Sequence, residues 1–307
     1  MRLDGIHHVT CITADAPRNV DFYTRVLGLR LVKKTVNQDD PTVYHLFYAD
    51  EKGSPGSDIT FFEYPGVRRG QAGAGMVHTV VWRVASEESL DFWARRLELE
   101  TSVLDRTDDA LAFEDPDGLR HELTVATVPD EPLTAEHPEI PVELALQGFH
   151  EVRAFAADPG SSRSFLEEAL GFVPTENDVW EVRGATRGGR YAYDPAPPGR
   201  GSGGAGTVHH VAWASTMEEH EGWRARVEAA GLRPTPVIDR FWFRSIYFRE
   251  PSGVLFEIAT IGPGFAIDED PAYLGESLVL PPAFEHLRDQ IEPALTPLEI
   301  PAETHRR

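Results

Sequence analysis

Apolar and polar positions along this chain fall into one pattern that recurs four times. Each recurrence opens with a glycine and a short alternating run rich in β-branched and aromatic residues: "GIHHVTCIT" from Gly5, "GMVHTVVWRV" from Gly75, "GFHEVRAFA" from Gly148 and "GTVHHVAWAS" from Gly206. Period-two alternation of this composition predicts a strand. A helical spacing follows each time. In "NVDFYTRVLGL" Phe22, Tyr23, Val26 and Leu27 share a face and Gly28 is the stop; the counterparts are "SLDFWARRLEL", "SSRSFLEEALGF" ending at Gly171, and "TMEEHEGWRARVEAAGL" ending at Gly231. Thr216 and Glu219 are spaced as a capping box for the last helix. Shorter strand-like runs complete each unit, such as "YHLFYAD" and "ITFFEY" in the first and "RFWFRSIYFRE" and "VLFEIAT" in the fourth. The predicted unit is β-α-β-β-β, roughly 50–60 residues long, present four times.

The repeats set the expected organisation. Residues 1–130 hold modules one and two, 131–145 form a Pro- and Glu-rich linker, 146–262 hold modules three and four, and 263–307 form a tail with "FEHLRDQI" as a short helix. Modules one and four are expected to form one cup and modules two and three another. "DPAPPGRGSGGAG" reads as an exposed, flexible connection. Composition narrows the partners. The 307 residues include 29 Lys and Arg against 50 Asp and Glu, a formal charge of −21. A phosphate-binding surface needs clustered basic residues, so nucleic acid is excluded as an expected partner. No run approaches the roughly 18 apolar residues of a membrane span. The first residues lack a signal-peptide pattern, and the single cysteine, Cys11, suits a reducing cytoplasm.

Aligning the units on one another isolates the candidate chemistry. The first histidine occurs in every unit, as His7, His78, His150 and His209; the second position is His8, Thr79, Glu151 and His210. A histidine common to all units reads as structural, and one restricted to units one and four as specific to a site. Strand alternation puts His8 and Thr10 on one face and turns His7 and His209 to the other. "DPDGLRHEL" and "EPSGVLFEI" align without a gap, matching Glu122 with Glu257, while Glu63 lies near that place in unit one. His8, His210 and Glu257 would together make the two-imidazole, one-carboxylate set of non-haem Fe(II) oxygenases, which leaves coordination positions open.

These stretches resemble the vicinal oxygen chelate superfamily, which groups glyoxalases, bleomycin-resistance proteins and extradiol dioxygenases. The resemblance to its hydroquinone-type ring-cleaving dioxygenases is carried by "GIHHVT", "NVDFYTRVLGLRLVKKTVNQDDPTVYHLFYAD", "GSPGSDITFFEYPG", "GTVHHVAWAS", "REPSGVLFEIAT" and "LGESLVLPPAFE". It implies an α+β fold of four βαβββ modules in two pseudo-symmetric halves forming cupped mixed β-sheets. It also implies Fe(II), with Mn(II) as the substitute, held by His8, His210 and Glu257, and catalytic roles for His7, Thr10, His209, Arg240 and Tyr247 around it. The expected partners are a small aromatic substrate and dioxygen, with room for a homo-oligomer. Two other readings stay open: a metal-dependent glyoxalase or isomerase of the same fold, which Glu63 would favour, and a non-enzymatic small-molecule-binding protein.

Overall fold

The computed structural model describes residues 1–298; the last nine residues of the expected tail lie outside it. The expected α+β architecture is present as two eight-stranded mixed sheets. The first contains β1 (Ile6–Thr13), β2 (Arg30–Asn37), β3 (Asp40–Ala49) and β4 (Asp58–Glu63) of module one. It also contains β13 (Val208–Ser215), β14 (Ile238–Asp239), β15 (Arg244–Arg249) and β16 (Leu255–Thr260) of module four. The second combines β5 (Met76–Val84) to β8 (Arg120–Val125) of module two with β9 (Phe149–Ala156) to β12 (Gly188–Pro195) of module three. Each sheet is therefore sewn from both halves of the chain. Its opening strands meet antiparallel at the centre, β1 on β13 and β5 on β9, and the last strand of each module runs parallel to its own first strand.

The helices explain which face of a sheet is dry. Asp15 caps α1 (Ala16–Asp21), which continues as a π-helical turn over Phe22–Val26, and Ser86 caps α2 (Glu87–Leu97). α3 (Gly160–Ser164) repeats the π continuation over Phe165–Ala169. The last long helix, α4 (His220–Ala229), starts later than expected: Glu219 is its cap position and makes no side-chain cap bond, so the Thr216/Glu219 box does not form. Residues 217–219 instead turn, and buried His220 bonds to Ser215 at 3.1 Å. Tyr23, Trp93, Phe165 and Trp223 from these helices join Val9, Cys11, Trp82, Val152 and Trp213 in one contiguous core. The opposite face of the first sheet carries a smaller cluster: Val32, Phe47, Ala212, Trp242, Phe243, Phe265 and Leu274.

One connection differs from expectation. The glycine-rich end of "DPAPPGRGSGGAG" is packed, with Gln71 and Ser202 exchanging backbone bonds and Gly204 facing Gly70. A Cβ on Gly70 would sit 2.7 Å from the Gly204 nitrogen, so these glycines serve close backbone approach rather than flexibility. The tail crosses the first sheet, where the Val279 N–H donates to Lys34 O at 2.9 Å, and it includes the expected short helix, α5 (Arg288–Ile291). Among the described residues no helix is long and apolar enough to cross a membrane.

Candidate metal centre

The site grows out of a defect shared by the four opening strands. The β1–β13 register slips between Ile6 and His8 and again between Thr10 and Cys11, leaving His7 and His209 as the extra residues; the β5–β9 register slips likewise at His78 and at His150. All four first histidines sit at β-bulges. A bulge re-aims a side chain that strict alternation would send to the other face. This corrects the expectation for His7 and His209. Both point to the same side as their neighbours: His7 Nδ1 is 2.9 Å from His8 Nδ1, and His209 Nδ1 is 2.8 Å from His210 Nδ1. The equivalent bond in module two joins His78 Nδ1 to Thr79 Oγ1 at 2.9 Å.

With Nδ1 of His8 and of His210 committed to a neighbour, each presents Nε2 to the concave face. His7 Nε2 bonds to Thr260 O at 3.2 Å. A carbonyl only accepts, so His7 carries its proton on Nε2 and accepts from the Nδ1–H of His8. That proton order leaves His8 Nε2 as a free lone pair, the state a metal ligand requires. The two Nε2 atoms are 3.3 Å apart, and Glu257 Oε2 lies 3.2 Å from His8 Nε2 and 2.9 Å from His210 Nε2. All three residues are buried, and theirs is the one such trio of potential ligands among the described residues. Bonds of about 2.1 Å to a shared ion would set neighbouring ligand atoms about 3.0–3.4 Å apart, from right-angled to tetrahedral arrangement. Glu257 Oε1 accepts from Ser245 Oγ, whereas Oε2, fully buried, accepts no directed hydrogen bond. An orphaned carboxylate oxygen between two imidazole nitrogens fits a metal ion. Burial lowers His210 and takes His7 down to about 3, so both stay neutral near pH 7.

His8 and His210 line a cleft walled by Phe47, Phe62, Trp242, Phe243 and Tyr247, with Glu257 buried behind them. Tyr247 pairs with Glu257 across β15 and β16 and meets the His210 ring edge-on at 5.6 Å. Burial and the Glu257 charge push its phenol above the ordinary tyrosine range, so it remains a proton donor. Arg240 also lines the cleft; its guanidinium lies over the Tyr247 ring at 5.4 Å and is gripped by Asp39 at 2.8 and 3.2 Å. Thr10 is buried beside His8 on the same strand and accepts from Thr60 Oγ1 at 2.8 Å.

Glu63 does not reach the trio. It pairs with Thr13 across β1 and β4, and its Oε1 accepts from the Ala16 N–H at the start of α1 at 2.9 Å. The residue at the glutamate position of module one is Thr60, opposite Thr10 as Glu257 is opposite Ala212. Sequence reading missed Thr60 together with Ser245 and His45. A signal for Thr60 exists: four residues after Gly56, Gly118, Gly188 and Gly253 come Thr60, Glu122, Ala192 and Glu257. Ser245 stands two residues before Tyr247, hence on the same face of β15.

The chain is thus built of two sheets of paired βαβββ modules, one of them carrying a buried His/His/Glu trio that could hold a metal ion. A family model described as the Glyoxalase/Bleomycin resistance protein/Dioxygenase superfamily matches residues 5–123 and 148–258, and the chain belongs to that superfamily. A Bacillus subtilis (strain 168) protein named "Putative ring-cleaving dioxygenase MhqO" is 40% identical over 304 residues, 96% of this chain and 97% of the relative. The chlorohydroquinone/hydroquinone 1,2-dioxygenase of Sphingobium indicum is 32% identical over 312 residues, covering 94% and 95% of the two chains. A crystal structure of a B. subtilis protein, titled as a putative dioxygenase, superimposes with a TM-score of 0.89 at 40% identity over 98% of this chain and 99% of that one. Glyoxalase I from Zea mays, at 16% identity and a TM-score of 0.57 over 83% of this chain and 92% of that one, shares the fold.

Proposed function

We propose that this protein is a non-haem, Fe(II)-dependent dioxygenase that opens the ring of a hydroquinone- or catechol-like aromatic with dioxygen. The observation that carries the reading is the bare Glu257 Oε2 facing the Nε2 atoms of His8 and His210. A metal held by these three residues, Fe(II) with Mn(II) as the substitute, would lower the pKa of a bound hydroxyl and bring substrate and dioxygen together at its remaining positions. The chain's own groups do the rest. Phe62, Trp242 and Phe243 sandwich a flat ring and keep water from it. His7 and His209 fix the tautomer and aim of the two ligand imidazoles through the Nδ1 bonds. Thr10 steadies the floor beside His8. The Arg240 guanidinium, anchored by Asp39, sets positive charge where negative charge grows on oxygen, and the Tyr247 phenol supplies a proton. The single cysteine, Cys11, is buried in the core, which suits work in the cytoplasm.

The glyoxalase or isomerase reading needs a carboxylate in the module-one position, and Thr60 stands there. The test is the metal content of anaerobically purified protein, measured alongside oxygen uptake with a panel of hydroquinones and catechols. The expected result is bound iron and oxygen consumption matched to substrate loss. Substrate turnover without oxygen uptake would overturn the reading.

A further inference from the structure

The pseudo-symmetry of the first sheet singles out one more residue. In module four Tyr247 pairs with Glu257, and Ser245, two residues earlier, bonds to that glutamate. In module one Phe47 pairs with Thr60, and His45, two residues earlier, bonds to that threonine, Nε2 to Oγ1 at 2.9 Å. His45 is thus the mate of Ser245, and Thr60 the mate of Glu257. Threonine is too short to ligate where glutamate would, so a metal held by the trio would have no protein ligand on the module-one side, where His45 borders the cleft.

The hydrogen bonds fix which nitrogen of His45 is available. Thr60 Oγ1 gives its one proton to Thr10 Oγ1. It must therefore accept from His45, which places the ring proton on Nε2 and a lone pair on Nδ1. Nδ1 has no hydrogen-bond partner among the described residues, and the ring is held between Phe47 and Phe62, with centroids 3.9 and 4.4 Å away. We propose that His45 is a catalytic base of the ring-cleavage reaction: its Nδ1 takes the proton of the substrate hydroxyl that enters the position Thr60 leaves open. The substrate O–H bond breaks, its electron pair stays on oxygen as phenolate, and the new N–H bond makes His45 an imidazolium; the proton returns when the oxygenated product leaves. Thr60 is a positioning residue, holding the tautomer. Burial disfavours a protonated His45 in the resting protein, so Nδ1 is free to accept a proton when substrate arrives.

This inference rests on the dioxygenase reading, and the experiment separates the two. The full chain, purified without oxygen and loaded with Fe(II), is compared with His45→Phe and His45→Gln, the latter keeping a hydrogen bond for Thr60. Turnover of hydroquinone per bound iron should fall about 10²-fold in both, with iron content and Tm at wild-type values. The same proteins loaded with Mn(II) are titrated anaerobically with hydroquinone by calorimetry in two buffers of different ionisation enthalpy. Wild type should keep the substrate proton, whereas the variants should release it to buffer. Thr60→Glu, which fills the open position, should retain metal and stop turnover. Wild-type turnover per iron in the His45 variants, unchanged proton release, or an active Thr60→Glu enzyme would each overturn the proposal. A wild-type protein inactive on every hydroquinone and catechol would instead overturn the dioxygenase reading itself.

Discussion

At the centre of the first sheet the two residues following the bulged histidines are His8 and His210, and the late-strand positions hold Thr60 and Glu257. The same register positions in the second sheet hold Thr79 and Glu151, with Glu122 and Ala192 on the late strands. The bulges are common to both sheets, and so is the side-chain bond from the first histidine to its neighbour in modules one, two and four. What differs is the source of positive charge. In the second sheet Arg153, at the position of Thr10 or Ala212, forks onto Glu122 at 2.7 and 2.8 Å and reaches Glu151 at 2.6 Å, with Arg190 closing on Glu151 at 3.2 Å. A planar guanidinium satisfies two carboxylates with fixed geometry. The first sheet has small residues, Thr10 and Ala212, in those places, and keeps a cleft with an unsatisfied carboxylate. In the proposed reading, one scaffold therefore has two ways to neutralise its acids: a side chain that fills the cup, or an ion that leaves it accessible.

The sharpest way to break this comparison is to remove a ligand. His210→Ala or Glu257→Ala should lose most of the bound metal and with it the turnover, because in the proposed reading each supplies one of only three protein ligands; metal analysis after desalting checks it. Next in size, His209→Ala should keep its metal while turnover per bound metal drops about 10- to 100-fold, the usual cost of losing a group that orients a ligand histidine. Loss of the metal itself would make His209 a support for binding rather than for turnover. In the second sheet, Glu122→Ala should leave turnover per bound metal unchanged and lower stability by about 1.5–3 kcal/mol, the scale of hydrogen bonds to a charged group; urea unfolding reads this.

Acid should act on both sheets alike. Burial lowers His7 in the first and His121 in the second to about 3, from 6.5 in the unfolded chain. Folded-state values below the unfolded ones mean that this stability is present above pH 6.5 and is lost as pH falls toward 3, because the unfolded chain binds the protons first. Each histidine adds a slope of at most about 1.4 kcal/mol per pH unit in that window. Metal-free protein followed by urea unfolding at pH 7 and pH 5 isolates this from metal release. The smallest effect expected is none: Thr79→Ala, at the second-sheet counterpart of the ligand histidines, should leave metal content unchanged.

The sequence by itself determined the four modules, the placement of their helices and the histidine and glutamate positions to compare, because these are written in local periods of 2 and 3.6 and in the glycines that punctuate them. Its repeat also distinguished modules one and four from two and three. What only the tertiary structure decided depends on partners distant in the chain. The bulges that bring His7 and His209 beside His8 and His210 exist only where β1 meets β13, about two hundred residues away. Whether Glu63 or Thr60 faces the cup turns on the register of β4 against β1, and a shift by an odd number of residues moves a side chain to the other face. Ser245 and His45 gain their meaning only when β15 and β3 are laid beside the strands that carry Glu257 and Thr60. Local propensity names the elements; hydrogen-bond register between them decides which side chains share a space.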